Sequence, residues 1–296
     1  MMGVDVDERA AIFEGERDRL FGLAYRMLGS VADAEDLLQE AFLRFAGAAE
    51  VRAAGPFLTT VVTRLAVDHL RSARVRRESY VGPWLPEPLV GEAPDAAQDQ
   101  ELAESLSLAF LQLLEVLTPA ERAAYVLHDV LGLPFAELAP ALERTPESCR
   151  QLASRARRRL RGGTTRFPGG RDEAARLAGA FFGAVRGGEL DALIATLRED
   201  VVLWSDGGGK VPSALRPIHG ARNVARFLLG IAAKAPPDVA VLPTWVNGRP
   251  GVMLTHEGAV RRVIGVELDA DGVAAIHVIG NPDKLAHLAP GPTAAG

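Results

Sequence analysis

From Val4 to about Arg77, apolar residues recur at intervals of three and four, and the breaks fall at Gly29-Ser30 and Gly55-Pro56. Ser30 is placed to cap the helix that follows, with Asp33 three residues on at its positive end. In that helix Leu37, Leu38, Ala41, Phe42 and Phe45 share a face, and beyond Gly55-Pro56 so do Phe57, Leu58, Val61, Val62, Leu65 and Leu70. The pattern predicts a bundle of three or four helices over residues 4–78. Pro83, Pro86, Pro88 and Pro94 then rule out a helix and predict an extended linker over 79–99. A second helical block runs over 100–162, where Thr118-Pro119-Ala120-Glu121 supplies an N-cap, a first-turn proline and a capping-box acid, and Thr145-Pro146-Glu147 repeats the signal. Gly162, Gly163, Pro168, Gly169 and Gly170 mark a second linker over 163–170.

The texture changes over 171–290. Helices are predicted from about Asp172 to Arg186, from Leu190, and from Ala221 to about Ala233. Strands are predicted at Val201 to Ser205, Val239 to Val246, Val252 to His256, Val260 to Leu268 and Val273 to Ile279. This reads as an α+β domain with helices against a curved antiparallel sheet.

The 296 residues fit two or three domains, and the 48% hydrophobic and 24% charged fractions are those of a soluble globular chain. No apolar run is long enough to cross a bilayer, and Asp5, Asp7 and Glu8 stand where a secretory leader would be basic, so a cytoplasmic protein without membrane attachment is expected. The single Cys149 excludes an internal disulfide and a thiolate-rich zinc site, and its place on an apolar face predicts a small core residue. No metal or other cofactor is expected. The net charge of -5 conceals two basic stretches: Arg64, Arg71, Arg74, Arg76 and Arg77 against Asp68, and Arg150, Arg155, Arg157, Arg158, Arg159 and Arg161 without an acid.

The second basic stretch lies in PFAELAPALERTPESCRQLASRARRRL, which has the proportions of a helix-turn-helix. Cys149, Leu152, Ala153, Ala156 and Leu160 are spaced to pack against Phe135, Leu138 and Leu142. Arg150, Gln151, Ser154 and Arg155 are then left for base edges, and Arg157, Arg158, Arg159 and Arg161 for phosphates. In the first bundle Asp36, Gln39, Glu40 and Leu43 point away from the apolar face, an acidic surface suited to a basic protein partner. The next helix offers a polar stripe of Thr59, Thr60, Thr63, Arg64 and His69 leading to Arg71 and Arg74, suited to single-stranded DNA.

Together these residues resemble an extracytoplasmic-function (ECF) RNA polymerase sigma factor. Asp33-Ala34-Glu35-Asp36-Leu37-Leu38-Gln39-Glu40-Ala41-Phe42 resembles the part of sigma domain two that binds the clamp helices of the largest polymerase subunit. Pro56-Phe57-Leu58 through Asp68 and Arg71 resembles the helix that melts and reads the -10 element. Leu117-Thr118-Pro119-Ala120-Glu121-Arg122 with the helix-turn-helix resembles sigma domain four, which reads the -35 element and contacts the flap of the second-largest subunit. The family's usual tryptophan and Arg-Asn pair stand here as Phe57 and Thr63-Arg64. On this resemblance the -10 set is Thr60, Thr63, Arg64, Arg71 and Arg74, and the -35 set is Arg150, Gln151, Ser154, Arg155 and Arg158.

Three further segments, Tyr80-Val81-Gly82-Pro83-Trp84-Leu85-Pro86-Glu87-Pro88, Asp206-Gly207-Gly208-Gly209-Lys210 and Asn281-Pro282-Asp283-Lys284-Leu285, resemble the SigJ-like subgroup with its fused SnoaL-like (NTF2-like) domain. The resemblance implies two all-α sigma domains followed by an α+β cone around an apolar pocket. Trp84, Leu85, Pro86, Asp206, Gly207, Lys210, Asn281, Pro282, Asp283, Lys284 and Leu285 are then regulatory contacts acting in cis. DGGGK lacks the setting of a P-loop and is expected to be a flexible contact loop.

Alternatives stay open for that domain: a sensor with a small apolar ligand in its pocket, or a vestigial cyclase or isomerase using Asp206, His219, His256 or His277. The scatter of these four favours a domain without catalytic residues. For the N-terminal half, a helix-turn-helix repressor is the competing reading, and it would need paired half-sites.

Overall fold

The computed structural model describes residues 6–92, 104–160 and 170–288. Among them, 6–79 with 113–160 form one compact unit, and 80–92, 104–112 and 170–288 form another. In the first, α1 (Val6–Leu28), α2 (Val31–Gly47) and α3 (Ala54–Glu78) make the expected bundle. Ser30 caps α2, its hydroxyl accepting from the Asp33 amide at 3.1 Å. Ala34, Leu37, Leu38, Ala41 and Phe45 form the buried face of α2. They meet Leu20, Leu23 and Met27 of α1 and Leu58, Val62 and Leu70 of α3, all sealed from solvent. Each such large side chain contributes roughly 1.5–3 kcal/mol. Arg9, 6% exposed, donates to the carbonyls of Phe45, Ala46 and Ala48, satisfying the C-terminus of α2.

Residues 80–113 contain a short strand, β1 (Val90–Gly91), and a short helix, α4 (Leu108–Leu113). Beyond a single 3-10 turn come α5 (Pro119–Tyr125), which widens into a π turn, then α6 (Phe135–Leu142) and α7 (Pro146–Arg159). Thr118 and Glu121 form the reciprocal capping box, and Thr145 caps α7 through the Ser148 amide. Glu143 takes the left-handed conformation (φ 53) that turns α6 into α7. Cys149, Leu152, Ala153 and Ala156 are buried, with Phe135 and Leu142 packed beside Leu152 and Ala153. Cys149 is fully buried, which pushes its thiol pKa up, as befits a core residue.

The second unit holds α8 (Arg171–Gly187), α9 (Leu190–Ile194), β2 (Leu197–Asp206), β3 (Ile218–His219), α10 (Ala221–Ala232), β4 (Ala240–Val246), β5 (Arg249–His256), β6 (Ala259–Asp269), β7 (Gly272–Ile279) and α11 (Pro282–Leu285). The sheet order is β1-β4-β5-β6-β7-β2-β3. Strands β4 to β7 form an antiparallel meander whose first turn is Asn247-Gly248, with φ of 52 and 73. The expectation of an all-antiparallel sheet is corrected, because β2 pairs with β7 in parallel. The chain crosses over through α10 after β2, so the returning β7 arrives in the same direction. Strand β1 was not anticipated in the proline-rich linker: Val90 and Gly91 pair with Val246 and Trp245 at the sheet edge.

Alternation along the strands gives the sheet two apolar faces. Leu203, Val266, Ile276 and Val278 face Phe181 of α8 and Val224 and Leu228 of α10. On the other face Met253, Val263 and Ile279 pack with Leu85, Leu108 and Leu285.

Candidate functional site

A polar cluster forms where β2 ends. Asp206 is fully buried, and each carboxylate oxygen accepts two hydrogen bonds. Oδ1 receives the Tyr80 hydroxyl at 2.6 Å and the Gly208 amide at 3.0 Å; Oδ2 receives the Leu85 amide at 2.8 Å and Lys284 Nζ at 2.7 Å. The lysine is 7% exposed, also donates to the Leu85 carbonyl, and sits 4.0 Å from the Trp84 ring centroid. Three sequence segments therefore meet at one charge pair, and all four acceptor sites of the carboxylate are used. Burial, with the hydrogen bond to Asp206 acting in the same direction, pushes the Tyr80 hydroxyl above the ordinary tyrosine range.

Asn281 reads both sides of the cluster: its amide donates to the Tyr80 oxygen at 2.8 Å and its carbonyl caps α11 through the Asp283 amide. Lys210 bonds Asp283 at 2.6 Å across the surface. Pro86 is buried beside Leu85. The contact loop expected at residues 206–210 is a tight turn, closed by the Lys210 amide on the Gly207 carbonyl at 2.9 Å. Its glycines are there for lack of room. A Cβ on Gly208 (φ 59) would run into the Asn281 amide, and one on Gly207 into Ser213. Sequence reasoning missed Tyr80 as the hydroxyl partner, and also Asn247, which binds the Leu89 amide and the Leu106 carbonyl.

In the first unit, Asp36, Gln39, Glu40 and Leu43 are exposed on α2, with Leu43 at 65%. Thr63, expected on the polar stripe of α3, is fully buried and its hydroxyl has no partner among the described residues. This is a correction: position 63 falls on the side of α3 carrying Ala66 and Leu70, and a threonine methyl suits that side. Thr60 is half-buried and Arg71 is exposed, paired with Asp68 at 2.8 Å. Arg64 donates to the Pro140 carbonyl at 2.7 Å and lies 3.6 Å from Glu143, at the turn of the helix-turn-helix. The side chain of Arg74, like Arg161 and residues 163–169 of the second linker, lies outside the described residues.

On α7, Arg150, Gln151, Ser154, Arg155 and Arg158 are all exposed on one side. Arg150 is braced by Glu147 at 2.5 Å and rests over Phe135, 5.4 Å from its centroid. The row of arginines expected to meet phosphates is partly neutralised within the fold: Arg157 pairs with Asp129 at 2.6 Å and Arg159 with Glu121 at 2.8 Å. Burial acts to raise the Glu121 pKa, but hydrogen bonds from Thr118 and the charges of Arg159 and Arg155 outweigh it and hold the carboxylate below its usual range.

Residues 12–76 match the family model for Sigma-70 region 2, and residues 107–160 that for Sigma-70, region 4. Over 288 residues the chain is 38% identical to the ECF RNA polymerase sigma factor SigJ of Mycobacterium tuberculosis (strain ATCC 25618 / H37Rv), with 92% of each chain covered. The chain is an ECF RNA polymerase sigma factor. It is also 29% identical to the ECF RNA polymerase sigma factor SigG of the same organism over 285 residues, covering 84% of this chain and 74% of the relative. The crystal structure of SigJ superposes with a TM-score of 0.76 at 35% identity, covering 94% of this chain and 98% of the other. The fold is therefore shared along nearly the whole length: helical sigma regions 2 and 4, then an α+β domain. The partners of such a factor are core RNA polymerase and promoter DNA. Among the described residues no helix is long and apolar enough to cross a membrane.

In this sigma factor the four groups considered for acid–base chemistry do not converge. Asp206 is consumed by the cluster, His256 is 3.1 Å from Asp238, and His219 is exposed on β3. His277 faces away from α8 and α10, stacked on Trp204 with its Nε2 3.0 Å from Oε1 of Gln112 on α4; burial pulls its pKa down to about 3. It is a structural histidine and does not line the cavity, since alternation sends its neighbours Ile276 and Val278 to that side. A cavity of about 950 Å³ does open on the helix side, between α8, α10 and strands β4 to β7.

Proposed function

We propose that the SnoaL-like domain regulates this sigma factor in cis by gripping the connector between its two DNA-reading regions. The observation that carries this is the buried Asp206–Lys284 pair closed on Tyr80 and Leu85. Residues 80–91 are the covalent path from region 2 towards region 4. A free extended chain reaches roughly 3.3–3.6 Å per residue, whereas this one is tied at Tyr80, Leu85, Leu89 and β1. Reach between the -10 and -35 elements then depends on whether the grip holds. The Arg64 contact with Pro140 and Glu143 adds support, because one candidate -10 residue is occupied by region 4 in this state.

In the working complex, Asp36, Gln39, Glu40 and Leu43 dock on the clamp helices of the largest polymerase subunit, and region 4 on the flap of the second-largest. Thr60, Arg64, Arg71 and Arg74 serve the -10 element; Arg150, Gln151, Ser154, Arg155 and Arg158 serve the -35 element. The protein works in the cytoplasm. The SnoaL-like domain is a binding module: no His, Asp, Glu, Cys or Lys lines its cavity among the described residues, and the cavity takes a small apolar ligand.

Run-off transcription with core polymerase tests the grip. Lys284→Met and Asp206→Asn in the full chain, each breaking the pair, are expected to change promoter output several-fold. Output equal to that of the unaltered protein from both variants, at equal polymerase affinity, overturns cis regulation.

A further inference from the structure

The cavity on the helix side of the sheet is apolar almost throughout. Val252 and Leu254 of β5, Ile264 of β6 and Val278 of β7 form its floor, and Phe182 of α8 and Leu228 of α10 are among its walls. A volume of about 950 Å³ suits an organic ligand rather than a few waters. Gly179 and Gly183, one turn apart on α8, line it, and a Cβ at either would meet nothing within 4 Å. Each glycine within a helix costs about 0.5–1 kcal/mol relative to alanine, so the width is maintained against local preference.

Into this setting β6 places Arg262. Its guanidinium lies against Gly280, where an added Cβ would come within 2.9 Å of Nη1. Among the described residues its polar partner is the Pro212 carbonyl at 3.4 Å, and it has no carboxylate. Burial alone lowers its pKa, with no opposing charge to restore it. Arg186, exposed at the end of α8, is the other charged residue of the lining. By contrast the partly buried Arg249 has Glu267 at 3.3 Å, and the buried Arg122 of the first unit has Glu115 and two carbonyls. Arg262 is part of the cavity lining, and a partly buried guanidinium with five donors and one long bond among the described residues is short of an anion.

We propose that this cavity binds an amphiphilic carboxylic acid, its hydrocarbon body on Val252, Leu254, Ile264 and Val278 and its carboxylate on the Arg262 guanidinium. A carboxylate matches the planar fork, and a single negative charge balances a single partly desolvated cation. The proposal rests on reading the cavity as a ligand pocket and adds the head group to it.

The test is calorimetric titration of the full-length protein with dodecanoate and with dodecanol below their aggregation limits, followed also by Trp245 fluorescence. Dodecanoate is expected to bind about tenfold to a hundredfold more tightly than dodecanol, the range for a charge-assisted bond. Arg262→Gln is expected to erase that difference while leaving dodecanol binding intact. Gly183→Leu, which extends a side chain into open space, is expected to abolish binding of both with the fold retained by circular dichroism. Equal affinity of the two probes, unaffected by Arg262→Gln but lost in Gly183→Leu, overturns the carboxylate assignment and leaves the pocket standing. Absence of binding by either probe, or binding indifferent to Gly183→Leu, overturns the pocket itself and the proposal with it. A second readout excludes a structural role: ligand-free Arg262→Met is expected to melt at or above the temperature of the unaltered protein, and a clear drop overturns the assignment.

Discussion

One face of the C-terminal sheet is covered by its own chain, with Leu85, Leu108 and Leu285 over Met253, Val263 and Ile279 and a buried ion pair beside them. On the opposite face Val252, Leu254 and Ile264 border open volume, and Arg262, which lines it with them, has no carboxylate partner among the described residues. The same strands supply both faces, so strand propensity does not explain the contrast. The covered face spends its polar groups on each other, which fixes where residues 80–91 run. The other face is covered by α8 and α10 only in part, and where they stand off it a volume remains beside Arg262. Buried pairs of the first kind are costly to form and costlier to break singly, which makes them good determinants of register.

The largest effect is expected from breaking the pair on one side. Lys284→Met leaves Asp206 buried without its cation and should cost about 3–5 kcal/mol in urea denaturation of the full chain. The double variant with Asp206→Asn should recover a substantial part. A loss below about 1 kcal/mol would mean that the covered face holds without the pair.

Protonation of His277 comes next. Its folded pKa of about 3 lies below the ordinary 6.5, so the unfolded chain binds the extra proton first. Stability is therefore fully present above pH 6.5 and declines as the pH falls from 6.5 towards 3, by at most about 1.4 kcal/mol per unit. Denaturation midpoints at a series of pH values, read by tryptophan fluorescence because Trp204 stacks on this ring, should show the slope, and His277→Gln should flatten it.

Smaller again, Gly208→Ala sets a methyl against Asn281 at a left-handed φ of 59 and should cost roughly 1–3 kcal/mol. An unchanged midpoint would show that the turn relaxes freely. The least is expected of Lys210→Ala: its pair with Asp283 is more than half exposed on both sides, and about 1 kcal/mol or less should be lost, shrinking further with salt.

Much of the molecule is readable one residue after another. The caps at Ser30, Thr118 and Thr145 form as their spacing dictates, because capping involves atoms three residues apart. The buried faces of α2 and α7 follow from the 3.6-residue period, and the central strands appear within a few residues of their expected limits. Thr63 shows where this stops. A helix packed on more than one side buries a wider arc than a two-sided pattern suggests, and a threonine reads as polar whichever way it faces. Arg157 and Arg159 show the same limit for charge, since the acids that neutralise them, Asp129 and Glu121, lie in other elements.

By itself, then, the sequence determined the elements, their caps, the helix-turn-helix and the order of the domains, all of which depend on neighbours within about a turn of helix or a pair of strand residues. Tertiary structure alone decided that Lys284 meets Asp206 from 78 positions away, that β2 joins β7 in parallel, that residues 90–91 become a sheet edge, and that Arg262 lines a cavity while His277 does not. Alternation along a strand assigns residues to two faces, but which face is covered, and by what, depends on segments that meet only after the chain has folded.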